Sequence, residues 1–198
     1  MSEHLVTAPR TDTRARAQKV ALELFAEQGY EKTSLREIAE RLGITKAALY
    51  YHFKSKEDIV RSFTEDHFDR IDALIQWGKT RPRTDQTRRE LLERYVELVL
   101  LGQEVFLFLE RNRAAMDSMQ QGKERMNQFR ERLDRLVDVI AGPDASVRER
   151  ARAAAAIFAV GATCMFSAQS IDPPELCSIV LEIADDLTSP SRHAQSSR

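Results

Sequence analysis

A chain of 198 residues is long enough for one large domain or two small ones. Its 42% hydrophobic and 31% charged residues exclude a disordered chain, and only seven Gly and six Pro leave room for long helices. The net charge of −1 is low for a nucleic-acid binder, but residues 1–56 hold ten Lys/Arg against seven Asp/Glu, whereas the rest hold 20 against 24.

Residues 1–12 are polar and unpatterned and read as a flexible arm containing Arg10. They have no apolar stretch of signal-peptide length, and the most apolar run, Ala153 to Ala168, is shorter than the roughly 20 residues a bilayer needs. A cytoplasmic chain without membrane association is therefore expected. The first helix is expected from Thr13 to Gln28, with Ala17, Val20, Ala21, Leu24 and Phe25 at helical spacing and Gly29 as its stop. Ser34 and Glu37 form a capping-box pattern before Leu35, Ile38, Ala39 and Leu42. Gly43 ends that helix, because it reaches positive φ without a Cβ penalty. Thr45 is placed to cap a further helix from Lys46 to about Phe53, with Leu49 and Phe53 turned to the core. Two short helices joined by a glycine-containing turn make a helix-turn-helix over residues 34–53.

Ser55 and Asp58 open a fourth helix, which carries Ile59, Val60, Phe63, Phe68, Ile71, Leu74 and Ile75 and ends near Gly78. The clearest break in the chain is KTRPRTD, residues 79–85. The segment Gln86 to Leu109 becomes apolar nearly all round, as a buried helix does, and Gly102 is expected to divide it in two. From Ala114 to Ala141 the stripe is Met116, Met119, Met126, Phe129, Leu133, Leu136, Val137 and Ile140, ended by Gly142-Pro143. Ser146 and Glu149 form a second capping box, and the helix from 147 to about 169 is rich in small residues. Asp172-Pro173 starts the last helix. Its stripe of Leu176, Ile179, Val180, Ile183 and Leu187 suits a coiled-coil-like seam. Residues 189–198 read as a flexible tail. With no strand pattern, the expected class is all-α: a DNA-binding domain over 13–57 and a helical bundle over 58–188.

Nucleic-acid binding needs phosphate clamps and base readers. The Tyr50 and Tyr51 hydroxyls can donate to phosphate from a helix end, and His52 and Lys56 follow within reach. Ser34 and Thr45 open helices whose free N–H groups favour a phosphate. Lys46 lies where recognition-helix side chains reach base edges and would favour guanine, while the small Ala47 and Ala48 permit close approach to the groove. These residues also have plainer readings: Tyr50 as packing, Tyr51 and His52 as solvated surface, Lys46 as a phosphate contact.

The run ALELFAEQGYEKTSLREIAERLGITKAALYYHFKSKEDI, residues 21–59, resembles the TetR family of bacterial transcriptional regulators. The resemblance covers about 50 residues and combines FAEQGY, TS, IA, LGI and LYYHF followed by KSKE. It implies that Ser34, Tyr50, His52 and Lys56 stand at backbone-contacting positions and Arg36 at one that can read a base or a phosphate. It also implies a C-terminal body that binds an inducer, and two last helices that form a homodimer.

An adaptable apolar lining for an inducer is expected from Trp77, Tyr95, Phe106, Phe108, Met116, Met119, Met126, Phe129 and Phe158, residues that also suit an ordinary core. Phe158, Met165, Leu176, Ile179, Val180, Ile183 and Leu187 are the candidates for the dimer interface. No cofactor and no metal site is expected, since His4, His52, His67 and His193 are scattered and the two cysteines, Cys164 and Cys177, read as buried reduced thiols. An enzyme is disfavoured by the lack of a nucleophile motif, a glycine-rich phosphate loop or a His/carboxylate cluster. The expected function is a repressor that binds a pseudo-palindromic operator as a dimer and is released by a small molecule. The alternative is a DNA binder without such a ligand, architectural or controlled by a protein.

Overall fold

The computed structural model describes residues 10–112, 122–167 and 171–189. These form α1 (Arg10–Gln28), α2 (Leu35–Leu42), α3 (Lys46–His52), α4 (Lys56–Lys79), α5 (Asp85–Arg111), α6 (Gly122–Ala141), α7 (Val147–Ser167) and α8 (Pro173–Thr188). No strand occurs among the described residues. They divide into two compact units. The head takes in residues up to 66 together with 104–112, and the body takes in 67–103 together with the described residues from 122 onward.

The head core follows from the helical stripes. Ala17, Ala21, Leu24 and Phe25 of α1, Leu35, Ile38, Ala39 and Leu42 of α2, and Ile59, Val60 and Phe63 of α4 are buried together, with Leu49 and Phe53 between them. Full burial of one such large side chain stabilises by roughly 1.5–3 kcal/mol. Phe108 of α5 completes the cluster. Its ring stacks on Phe25 with centroids 5.0 Å apart and lies 6.1 Å from Tyr30 and 6.4 Å from Phe63. Phe108, expected in a ligand lining, is therefore a head-core residue.

In the body, Ile71, Ile75, Leu91, Leu92, Tyr95, Val96, Leu136, Ile157, Leu176 and Val180 form one core. Ala153 and Ala156 are buried on α7, which packs on both α6 and α8, and their small side chains allow close approach. The C-terminal end of α8 is held by arginines. Arg152 donates to the carbonyls of Leu187, Asp186 and Ser189, while Arg88 and Arg89 pair with Asp185. Their charge keeps the Asp185 carboxyl below the usual carboxylate range, the hydrogen bond from Arg89 contributing most.

Two expectations need correction. Gly102 does not divide the segment: α5 is continuous over 27 residues. A Cβ at Gly102 would stand 3.2 Å from the ring of His67, so the glycine makes room for an imidazole rather than a break. The seam on α8 also splits. Leu176 and Val180 are 1% exposed and pack inward, whereas Ile183 is 40% exposed. A spacing of four residues keeps 176, 180 and 184 at the centre of the face toward the core, with Cys177, Leu181 and Leu187 partly buried against it and Ile183 on the outer side. The side chain of Met165 lies outside the described residues, as do Met116 and Met119.

Candidate nucleic-acid interface

The surface begins with how α2 and α3 are started. Ser34 adopts extended backbone, its hydroxyl accepts from the Glu37 N–H, and its own N–H donates to Glu37 Oε2 at 2.8 Å. The Ser34 hydroxyl also donates to that carboxylate. This bond and the one from the Ser34 N–H hold the Glu37 carboxyl below its ordinary value. Gly43, at φ 70°, closes α2 with N–H contacts to the Ala39 and Glu40 carbonyls. Thr45 then accepts from the Ala48 N–H at 3.2 Å and starts α3. With Leu49 and Phe53 fully buried, the helix cannot roll, and Thr45, Lys46, Ala47, Ala48 and Tyr51 are turned to solvent.

Beside this face an open groove of about 470 Å³ is lined by Thr33, Ser34, Leu35, Arg36, Lys46, Tyr50, Lys54, Ser55, Lys56 and Glu57. Four of its ten lining residues are cationic and one is acidic, so it favours an anion. Lys46 Nζ lies 5.3 Å from the Tyr50 ring centroid. Arg36 Nε donates to Glu40 at 2.7 Å on the exposed face of α2. Lys56 is the most constrained cation: Nζ donates to the Tyr30 carbonyl at 2.7 Å and lies 4.4 Å from the Tyr30 ring centroid. The Tyr30 hydroxyl donates to Glu57 at 2.8 Å. Burial, aided by that carboxylate, pushes the phenol up beyond its usual range.

Of the nine expected DNA-facing residues, Ser34, Arg36, Lys46, Tyr50 and Lys56 line the groove. Thr45 and Ala47 stand on the exposed start of α3. Tyr51, 61% exposed, and His52 lie further along it, with ring centroids 5.3 Å apart. Lys54 also lines the groove and was not among the expected residues. Its Nζ donates to the Tyr50 carbonyl at the C-terminal end of α3. The KSK run at 54–56 carried the signal, since a cation just past a helix end is well placed to meet its last carbonyls.

The expected apolar lining is dispersed. Tyr95 is 4% exposed in the body core, where burial pushes its phenol up. Phe129 stacks with Phe68, Trp77 is flanked by Arg81 and Arg94, and Phe106 is half-buried. Met126 and Phe158 are 59% and 65% exposed, so they stand on the surface of the chain rather than inside it. Cys164 is buried, Cys177 is half-buried, and both are free thiols. Burial and the neighbouring Cys177 push the Cys164 thiol up to about 11. Among the described residues no cluster of His, Cys, Asp or Glu could hold a metal ion, and no helix is long and apolar enough to cross a membrane.

Residues 19–63 match the family model described as bacterial regulatory proteins, tetR family. The chain is 36% identical over 76 residues to the HTH-type transcriptional repressor KstR2 of Rhodococcus jostii, covering 36% of this chain and 37% of that protein. It is 33% identical over 89 residues to the HTH-type transcriptional activator FasR of Mycolicibacterium smegmatis, covering 45% and 39%. The chain thus spans well under half the length of these relatives. Its fold is similar to a crystal structure of a transcriptional regulator (TerR/AcrR family) from Aquifex aeolicus, with TM-score 0.61 and 22% identity over 86% of this chain and 96% of that one.

Proposed function

We propose, from the premise that this chain belongs to the TetR family through residues 19–63, that it is a transcriptional repressor. In this reading it acts in the cytoplasm as a homodimer on a pseudo-palindromic operator and is released by a small, partly apolar ligand. The observation that carries it is the fixed presentation of α3. Thr45 caps the helix and Leu49 anchors it, while Lys46, Ala47 and Ala48 face solvent beside a cationic groove. Lys46 reads a base edge from the N-terminal end of α3, and Ala47 lets the helix approach the groove floor. Ser34, Arg36, Thr45, Tyr50, Tyr51, His52, Lys54 and Lys56 hold the phosphates on either side. Dimerisation is supported by Phe158, exposed on α7, and Ile183, exposed on α8, two large apolar side chains on helices that pack together. A ligand coupling of about 1–3 kcal/mol would release the operator 5- to 150-fold.

The test is selection of genomic fragments by the purified protein at one fixed salt concentration, because phosphate contacts make affinity salt-dependent. Enrichment of a short inverted repeat is the expected outcome. Retention that depends only on salt, with no enriched sequence, overturns the specific-regulator reading. The dispersal of the expected aromatic lining favours a second reading, a DNA binder without a small-molecule ligand. It predicts that no metabolite fraction releases a selected operator.

A further inference from the structure

A second open groove, about 420 Å³ in volume, lies within the body where the end of α4 approaches the start of α5. It is bordered by Trp77, Arg81, Pro82, Glu90 and Arg94 among others. The guanidinium carbon of Arg94 sits 4.5 Å from the Trp77 ring centroid and that of Arg81 5.4 Å from it. Two cations held against one ring repel each other, yet neither guanidinium has an ion pair or hydrogen bond among the described residues. Their neighbours in sequence behave differently: Arg88 pairs with Asp85 and Asp185, and Arg89 pairs with Asp185. Glu90, the acid in the lining, accepts from Gln86 Nε2 at 3.0 Å, which engages it with a neutral amide. The groove therefore joins two unspent guanidinium forks to an apolar wall of indole and proline.

We propose that this groove binds a small organic carboxylate, its oxygens between Arg81 and Arg94 and its hydrocarbon part against Trp77 and Pro82. A guanidinium fork matches a carboxylate in geometry and charge. The volume lies within the range of ligand sites, about 300–1,000 Å³. The apolar wall favours an organic acid over inorganic phosphate. The site stands apart from operator binding and does not depend on it.

Trp77 is the chain's one tryptophan, so its fluorescence reports this groove directly. The full-length protein is titrated with benzoate, benzamide, inorganic phosphate and an acidic peptide. The expected result is a saturable change with benzoate, in the millimolar range proper to so small a ligand, and none with benzamide or phosphate. Arg81→Gln and Arg94→Gln should each weaken benzoate by about tenfold, the scale of one lost charge-assisted contact, with thermal midpoint and operator binding retained. No saturable change, an equal response to benzamide, or undiminished binding in both variants overturns the proposal. So does a response to the acidic peptide alone, which would make the groove a protein-docking surface.

Discussion

Helices α2 and α3 in the head have eight and seven residues, whereas α6, α7 and α8 in the body have 20, 21 and 16. Isolated helices shorter than about 12–15 residues are marginal in water. The short pair therefore persists only because caps fix its ends and Leu49, Phe53 and their neighbours fix its inner face. In the body, length and packing carry the helices, and no single cap decides whether they form. The lesson is that a pair of short helices must state its construction locally, residue by residue, while long helices distribute it.

The strongest way to break this contrast is to remove the anchor of the short helices. Phe53 is 1% exposed at the C-terminal end of α3, with the Arg14 guanidinium 5.2 Å from its ring centroid. Phe53→Ala should cost about 3–5 kcal/mol in urea unfolding and abolish operator binding. A loss below about 1 kcal/mol would mean that caps alone hold the head. Next in size is the body surface. Phe158→Glu places a charge on an exposed apolar position and should weaken the proposed dimer by about 2 kcal/mol or more, as truncation of an interface hot spot does. Sedimentation should then detect folded monomers, and an unchanged dimer would move the interface elsewhere.

The third test separates contact from support within the head. Lys46→Ala should weaken operator binding by about 1–3 kcal/mol, the scale of one good base contact, without moving the thermal midpoint. Lys56→Ala should lower both, because Nζ also binds the Tyr30 carbonyl and covers the Tyr30 ring. Its structural share is about 1–2 kcal/mol by the cation–π and hydrogen-bond scales. A thermal midpoint unchanged in Lys56→Ala would show that the lysine serves DNA alone.

These differences explain what was legible in the sequence. The caps Ser34 and Thr45, the turn at Gly43 and the buried Leu49 are local patterns, so the head and its exposed face could be read directly. Phe108 was misplaced because its partners, Phe25 and Tyr30, lie about 80 residues away in sequence, and the apolar run around it gives no sign of which core it joins. Gly102 read as a break because glycine is a poor helix former, while its true neighbour, His67, belongs to another helix. The α8 stripe showed which residues are apolar but not that the body core covers Leu176 and Val180 and leaves Ile183 exposed.

The smallest expected effect compares one device in both settings. Ser34–Glu37 and Ser146–Glu149 are nearly identical boxes: the serine N–H reaches the carboxylate at 2.8 and 2.7 Å, and the serine oxygen accepts the return bond at 3.2 and 3.3 Å. Ser34→Ala should cost about 1 kcal/mol, whereas Ser146→Ala should cost a few tenths, because α7 can fray one turn and keep its packed remainder. Both carboxyls lie below their ordinary value, chiefly through the serine hydroxyl and then the serine N–H. A depressed carboxyl stabilises fully above its unfolded pKa and loses that contribution as pH falls through the folded one. Acidification below the ordinary carboxylate range should therefore loosen both boxes. Only the head should respond measurably, as earlier amide exchange in α2 than in α7. Glu37→Gln should flatten this dependence by keeping an acceptor at N3 without a titrating group. Equal acid sensitivity in α2 and α7 would mean that helix length does not set how much a cap matters here.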